Sequence, residues 1–137
     1  MRACRSLIVL LLLAGCSPTP FTILAVIKGK DLVFNSKGKG SWPLKEKDNV
    51  RAAQEIEVRE GERVVWRIEQ DPLIPGCAEP APLQFPLTFN RAPRCYRAVV
   101  PSAGLQHGVV YTVESAGTSG VDNGYGSFRI SDSAENL

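Results

Sequence analysis

The chain has 137 residues, with 16 Lys and Arg against 14 Asp and Glu. That length allows one domain with its own hydrophobic core and no more. A formal net charge of +2 excludes any argument for nucleic-acid binding from overall charge.

Arg2 and Arg5 are the only charges in the first twenty-seven residues, and an unbroken apolar run from Leu7 to Ala14 follows them. A positive end, a short apolar stretch and small residues at its close make up a secretory signal. The run is far shorter than the roughly 20 residues needed to cross a bilayer as a helix. It closes in Leu13-Ala14-Gly15-Cys16, which resembles the lipobox of bacterial type II signal peptides. The resemblance implies cleavage before Cys16, a diacylglycerol thioether on its sulfur and a further acyl chain on its amine. One acyl chain binds a membrane marginally, whereas two or more anchor stably.

Residues 1–15 are therefore expected to be a signal peptide, 16–20 a lipidated terminus and short tether, 21–131 the folded domain and 132–137 a flexible tail. Loss of Arg2 and Arg5 leaves fourteen basic against fourteen acidic residues, so the mature protein is formally neutral. Its tether, Ser17-Pro18-Thr19-Pro20, is stiffened by two prolines. About five residues at ~3.3–3.6 Å each span at most about 18 Å, which keeps the domain close to the membrane. By analogy with Gram-negative lipoproteins, Ser17 rather than Asp after the cysteine favours the outer membrane, facing the periplasm.

With Cys4 removed and Cys16 lipidated, Cys77 and Cys95 remain. An isolated pair in an exported protein reads as a disulfide. Its nineteen-residue loop would stabilise by about 3 kcal/mol in the chain-entropy model.

From Phe21 onward the pattern is one of strands and turns. Phe21 to Lys28 is apolar and β-branched, Gly29-Lys30 breaks it, and residues 31–35 continue as a hairpin. Ser36 to Gly40 is a loop and Ser41 to Val50 is irregular. Lys28, Lys30, Lys37, Lys39, Lys45 and Lys47 make this third basic. The economical meaning is a solvated surface with edge-blunting lysines. Contact with anionic headgroups is the functional alternative.

Residues 53–59 alternate, Glu60-Gly61-Glu62 turns, and residues 63–69 put Val64, Trp66 and Ile68 on one face with Val65, Arg67 and Glu69 opposite. This is the clearest hairpin in the chain. Asp71 to Pro86 holds five prolines, a density that no helix or central strand survives. Leu83 to Phe89 reads as an edge strand and Cys95 to Val100 as a further short one. Gly108 to Ser115 directs Val109, Tyr111 and Val113 inward, and Gly126 to Ile130 closes the fold with Phe128 and Ile130 inward.

Leu105-Gln-His-Gly108-Val-Val-Tyr111-Thr-Val113 is similar to the Leu-x-x-Gly-x-x-Tyr-x-Val stretch of fibronectin type III domains. Trp66 precedes Tyr111 by forty-five positions, close to the spacing in that family between its core tryptophan, on the second strand, and its corner tyrosine. The resemblance covers residues 53–131. It implies an all-β, antiparallel Ig-like sandwich, here with an extra N-terminal hairpin, in which the Tyr111 hydroxyl bonds to the backbone a few residues upstream. The proline-rich excursion and the hairpin of residues 21–35 depart from the family pattern.

Chemistry-bearing motifs are scarce. His107 is the sole histidine and has no partner at metal-ligand spacing. No Gly-x-Ser-x-Gly motif accompanies it. Glu55, Glu57, Glu60 and Glu62 interleave with Arg59, Arg63 and Arg67, which points to cross-strand ion pairs and suggests no cleft. No enzyme, cofactor or metal site is expected. Candidate binding residues are Leu73, Ile74 and Phe85 of the proline loop, and Tyr125 in the turn of residues 122–126. The leading expectation is a non-enzymatic envelope lipoprotein, held to membrane lipid by its covalent anchor, that binds another envelope protein and no nucleic acid. The alternative is a periplasmic inhibitor of an exogenous hydrolase.

Overall fold

The computed structural model describes residues 20–38, 50–51, 53–117 and 123–137. The segments expected to be a signal and a lipidated tether, with Cys16, lie almost wholly outside the described residues, as do Lys39, Lys45, Lys47 and Asp122. Every regular element described is a strand: β1 (Phe21–Lys28), β2 (Asp31–Lys37), β3 (Val50–Arg51), β4 (Glu55–Glu60), β5 (Arg63–Gln70), β6 (Leu83–Gln84), β7 (Leu87–Thr88), β8 (Tyr96–Val100), β9 (Val110–Ala116), β10 (Gly124–Ile130) and β11 (Ala134–Asn136).

The fold is all-β. One sheet runs β7-β2-β1-β10-β9-β4-β5-β8 with β11 branching onto β10, and β3 pairs with β6 in a small second sheet. Pairings are antiparallel except β1 with β10, which run parallel at Phe21 and Thr22. Both predicted hairpins form, β1–β2 about Gly29 and β4–β5 about Gly61. Each glycine sits at positive φ (63° and 57°), a conformation that costs glycine least in a tight hairpin turn.

The sheet curls until its inner face closes on itself. Alternation along β1 buries Phe21, Ile23 and Ala25, and the inward residues of β4, β9 and β10 meet them in one core. Phe34, Trp66, Tyr111, Phe85 and Phe128 are all nearly inaccessible. Full burial of side chains this large contributes roughly 1.5–3 kcal/mol each. Phe128 is central, its ring lying against both Phe34 and Tyr111.

Three expectations are corrected. Val65 is buried and Val64 half-buried, the reverse of simple alternation. The cause is an irregularity in the β4–β5 ladder, where Val58 pairs with Trp66 and Arg59 with Val64, so Val65 has no partner opposite it. The Val65 carbonyl instead accepts the Ala103 N–H at 2.9 Å. The Leu83–Phe89 strand splits into β6 and β7, because Pro86 has no N–H to donate. The polar tail is drawn into β11, pairing Phe128 with Asn136 and Ile130 with Ala134. The Asn136 side chain supplies the reason. Its Oδ1 accepts the Ala25 N–H at 2.6 Å and its Nδ2 donates to the Ala25 carbonyl at 2.9 Å. One amide thus imitates a strand residue beside β1, past the point where the β1–β10 ladder ends.

Register defines two ends of the curled sheet. Phe21, Lys37, Ala116, Glu55, Gln70 and Tyr96 lie at one end, called here the entry end because β1 begins there. The turns at Gly29-Lys30, Gly61-Glu62 and His107-Gly108 lie at the far end.

Candidate functional site

The proline loop leaves β5 at Gln70 and is fastened at both arms. The Asp71 N–H donates to the Cys95 carbonyl at 2.8 Å, and Asp71 Oδ1 accepts the Leu73 N–H at 2.9 Å, a local turn that Asp favours. Cys77 N–H donates to the Ile74 carbonyl at 2.9 Å. The Gln70 amide reaches across the loop, donating to the Glu79 carbonyl at 2.8 Å and accepting the Ala81 N–H at 3.0 Å. Cys77 and Cys95 are joined as the predicted disulfide, which ties the loop to the residue before β8.

At the tip of this loop Leu73 is 89% exposed and Ile74 half-buried. Phe85 does not belong with them. It is 1% exposed, its ring edge-on to Phe21 at 5.8 Å between centroids, so a role as a surface contact is corrected to one in the core. Burial alternates through this stretch, Leu83, Phe85 and Leu87 inside with Gln84 and Pro86 exposed, which aims Phe85 inward. Tyr125 is 48% exposed but lies in β10, opposite Glu114 of β9, rather than in a turn. Strand pairing continues to Gly124 because Asn123 O accepts the Phe21 N–H at 3.0 Å and holds that end of β10 to β1.

Tyr125 borders a shallow groove of about 270 Å³ on the outer face of β1, β9 and β10, with Thr22, Leu24, Glu114 and Leu137. Leu137 is 63% exposed, so this face pairs apolar contacts with one carboxylate. A larger cleft of about 530 Å³ opens at the entry end between Gln54, Glu55, Glu69, Pro72, Pro80 and Ala116. The sequence suggested no cleft, since its walls come from four separate segments that only strand pairing brings together.

Glu55 and Glu69 face each other across the β4–β5 ladder. Arg67 bonds both, reaching Glu55 Oε2 at 3.1 Å and the Glu69 carboxylate at hydrogen-bond distance. Burial works against the Arg67 charge, yet Glu55, Glu69 and Glu57 together raise its pKa above the ordinary guanidinium value. Arg59 Nε lies 2.6 Å from Glu57 Oε1, and this hydrogen bond with its charge raises the Arg59 pKa in turn. Of these pairs only Arg67–Glu55 crosses between strands as expected, while Arg59–Glu57 and Arg67–Glu69 lie within one strand each, and the two cleft carboxylates share one cation.

His107 is exposed in its turn. Among the described residues no three His, Cys, Asp or Glu side chains converge as metal ligands. The Tyr111 hydroxyl accepts the Gln106 N–H at 2.8 Å while its ring stays buried, the corner geometry expected from residues 105–113. Lys28 and Lys30 are exposed at the far end, roughly 23 Å of extended strand from Phe21, whereas Lys37 returns to the entry end.

No family model, curated protein or solved structure matches the chain.

Proposed function

We propose that the chain is a lipoprotein of the bacterial cell envelope, anchored through Cys16, whose domain is a non-enzymatic interaction module. The observation that carries this reading is Leu13-Ala14-Gly15-Cys16 at the close of a charged-then-apolar leader, five residues before Phe21. The Cys77–Cys95 disulfide supports an oxidising compartment. Ser17 supports the outer membrane, facing the periplasm. The partner in this reading is another envelope protein, and the groove between Tyr125 and Leu137 is the surface that fits one, because it adjoins exposed apolar side chains on a rigid sheet.

The same reading takes the curled sheet as an Ig-like sandwich of fibronectin III type. The Tyr111 corner supports that assignment. Trp66 on β5, the second strand within residues 53–131, supports it as well, whereas the parallel β1–β10 pairing counts against it.

A second reading, an inhibitor of an exogenous hydrolase, is favoured by one observation: Leu73 stands out on a loop stiffened before binding, and a preorganised wedge loses less entropy on association.

Cross-linking in intact envelopes followed by pull-down tests the proposal. A stoichiometric envelope protein cross-linked at Tyr125 or Leu137 supports it, and capture of added lysozyme or protease alone overturns it in favour of the inhibitor. Cys16→Ser is expected to release the protein from membranes. A variant that fractionates as the wild type does sinks the anchor.

A further inference from the structure

Leu73 is the most exposed large hydrophobic side chain among the described residues. It is not there through slackness of the loop. The disulfide, the Asp71 turn and the Gln70 amide hold both arms, and Pro72 and Pro75 fix the backbone on either side. Leu73 is therefore a fixed apolar projection, and what it meets depends on where it stands in the fold.

Its position in the fold narrows the choice. The loop grows from Gln70 and closes on Cys95, next to Tyr96, and Gln70 pairs with Tyr96 at the entry end. Phe21 begins β1 at the same end, so the chain preceding it departs from the side of the molecule that carries Leu73.

We propose that the entry end is the membrane-facing surface of the anchored protein and that Leu73 seats in the bilayer at the boundary of headgroups and acyl chains. This inference rests on the lipoprotein reading given above. The segment from Cys16 to Phe21 spans at most about 18 Å, and a small folded domain is about 30 Å across. A folded hydrolase does not fit between this end and the bilayer, so lipid is favoured over protein as the occupant. Membrane affinity comes from the acyl chains, and Leu73 sets which way the domain faces.

The surrounding charge is compatible. Lys37 and Arg94 are exposed at this end, Arg94 beside Gly76 of the loop. Glu55 and Glu69 are held by Arg67, leaving Glu79 as the exposed carboxylate of the loop itself. Lys28 and Lys30, attractive as headgroup contacts from sequence, lie at the opposite end.

The test is photolabelling of the full-length protein in phosphatidylethanolamine–phosphatidylglycerol vesicles that carry a photoactivatable phospholipid, with labelled residues mapped by mass spectrometry. Label is expected at residues 71–76 and not at Lys30 or Glu62. Leu73→Ser should lower labelling of the loop several-fold without moving the melting temperature, since the side chain is 89% exposed. An acylated Cys16 with residues 71–76 unlabelled overturns the inference alone. A loop of residues 71–76 that takes no lipid label but cross-links to an added hydrolase overturns it in favour of the inhibitor. A Cys16 peptide without acyl mass sinks the anchor reading itself, and the inference with it.

Discussion

The Phe34 ring of β2 stacks on the Trp66 indole of β5, ring centroids 6.4 Å apart and planes 22° from parallel. Four strands separate β2 from β5 in the sheet. A flat sheet with strands about 4.8 Å apart would hold them more than 20 Å apart. Their contact therefore measures the curl, and Phe89, edge-on to Trp66 at 5.1 Å, closes the gap from the loop after β7.

Truncating either ring should be severe. Trp66→Ala or Phe34→Ala is expected to cost about 3–5 kcal/mol, read as a lower urea midpoint. A double-mutant cycle should return a coupling of about 0.5–1.5 kcal/mol for the stacked pair. Strict additivity would mean that the rings do not meet across the core.

Asn136→Ala should destabilise by about 1–3 kcal/mol, because the Ala25 N–H and carbonyl lose both partners at once. Amide exchange at Ala25 is the site-specific readout. Protection there unchanged in the variant would show that β11 does not hold β1.

Reducing the disulfide, or replacing Cys77 and Cys95 by Ser, should lower stability by about 3 kcal/mol. Thermal melts with and without reductant measure this. Residues 71–82 should become the first site of proteolysis, since hydrogen bonds from Gln70, Asp71 and Tyr96 then restrain them without a covalent tie. Cleavage elsewhere first would place the weak point outside the loop.

Tyr96 links the fold to alkaline pH. Burial pushes its hydroxyl up from the ordinary value of 10.0 to about 12, and the neutral group donates to the Ala81 carbonyl at 2.7 Å, with Ala53 O at 3.3 Å. The unfolded tyrosine ionises near pH 10 while the folded one stays neutral, so its contribution is complete below pH 10 and lost as pH rises through about 12. Tyr96→Phe should be less stable at pH 8 and show a shallower decline between pH 10 and 12. Parallel stability curves for the two proteins over that interval would refute the assignment.

Much of the architecture was legible in the chain. Alternation and turn residues located both hairpins, and the corner bond of Tyr111 followed from residues 105–113. Local reading failed where one distant contact overrode the pattern. Val65 turned inward because the ladder opposite slips by a residue. The tail ordered because one asparagine found the free backbone of Ala25. Phe85 left the surface because Phe21, sixty-four positions earlier, offered it a ring.

By itself the sequence carried the lipobox resemblance on which the proposed anchor rests, the β periodicity and the expectation that Cys77 pairs with Cys95. These depend on residue type and near spacing, which need no tertiary context. Tertiary structure decided which strands are neighbours, how far the sheet curls, the cleft over Glu55 and Glu69, and the common end shared by Phe21 and Leu73. Those depend on strand register, and register is fixed by burying one continuous apolar face, a property of the assembled sheet that no single segment carries.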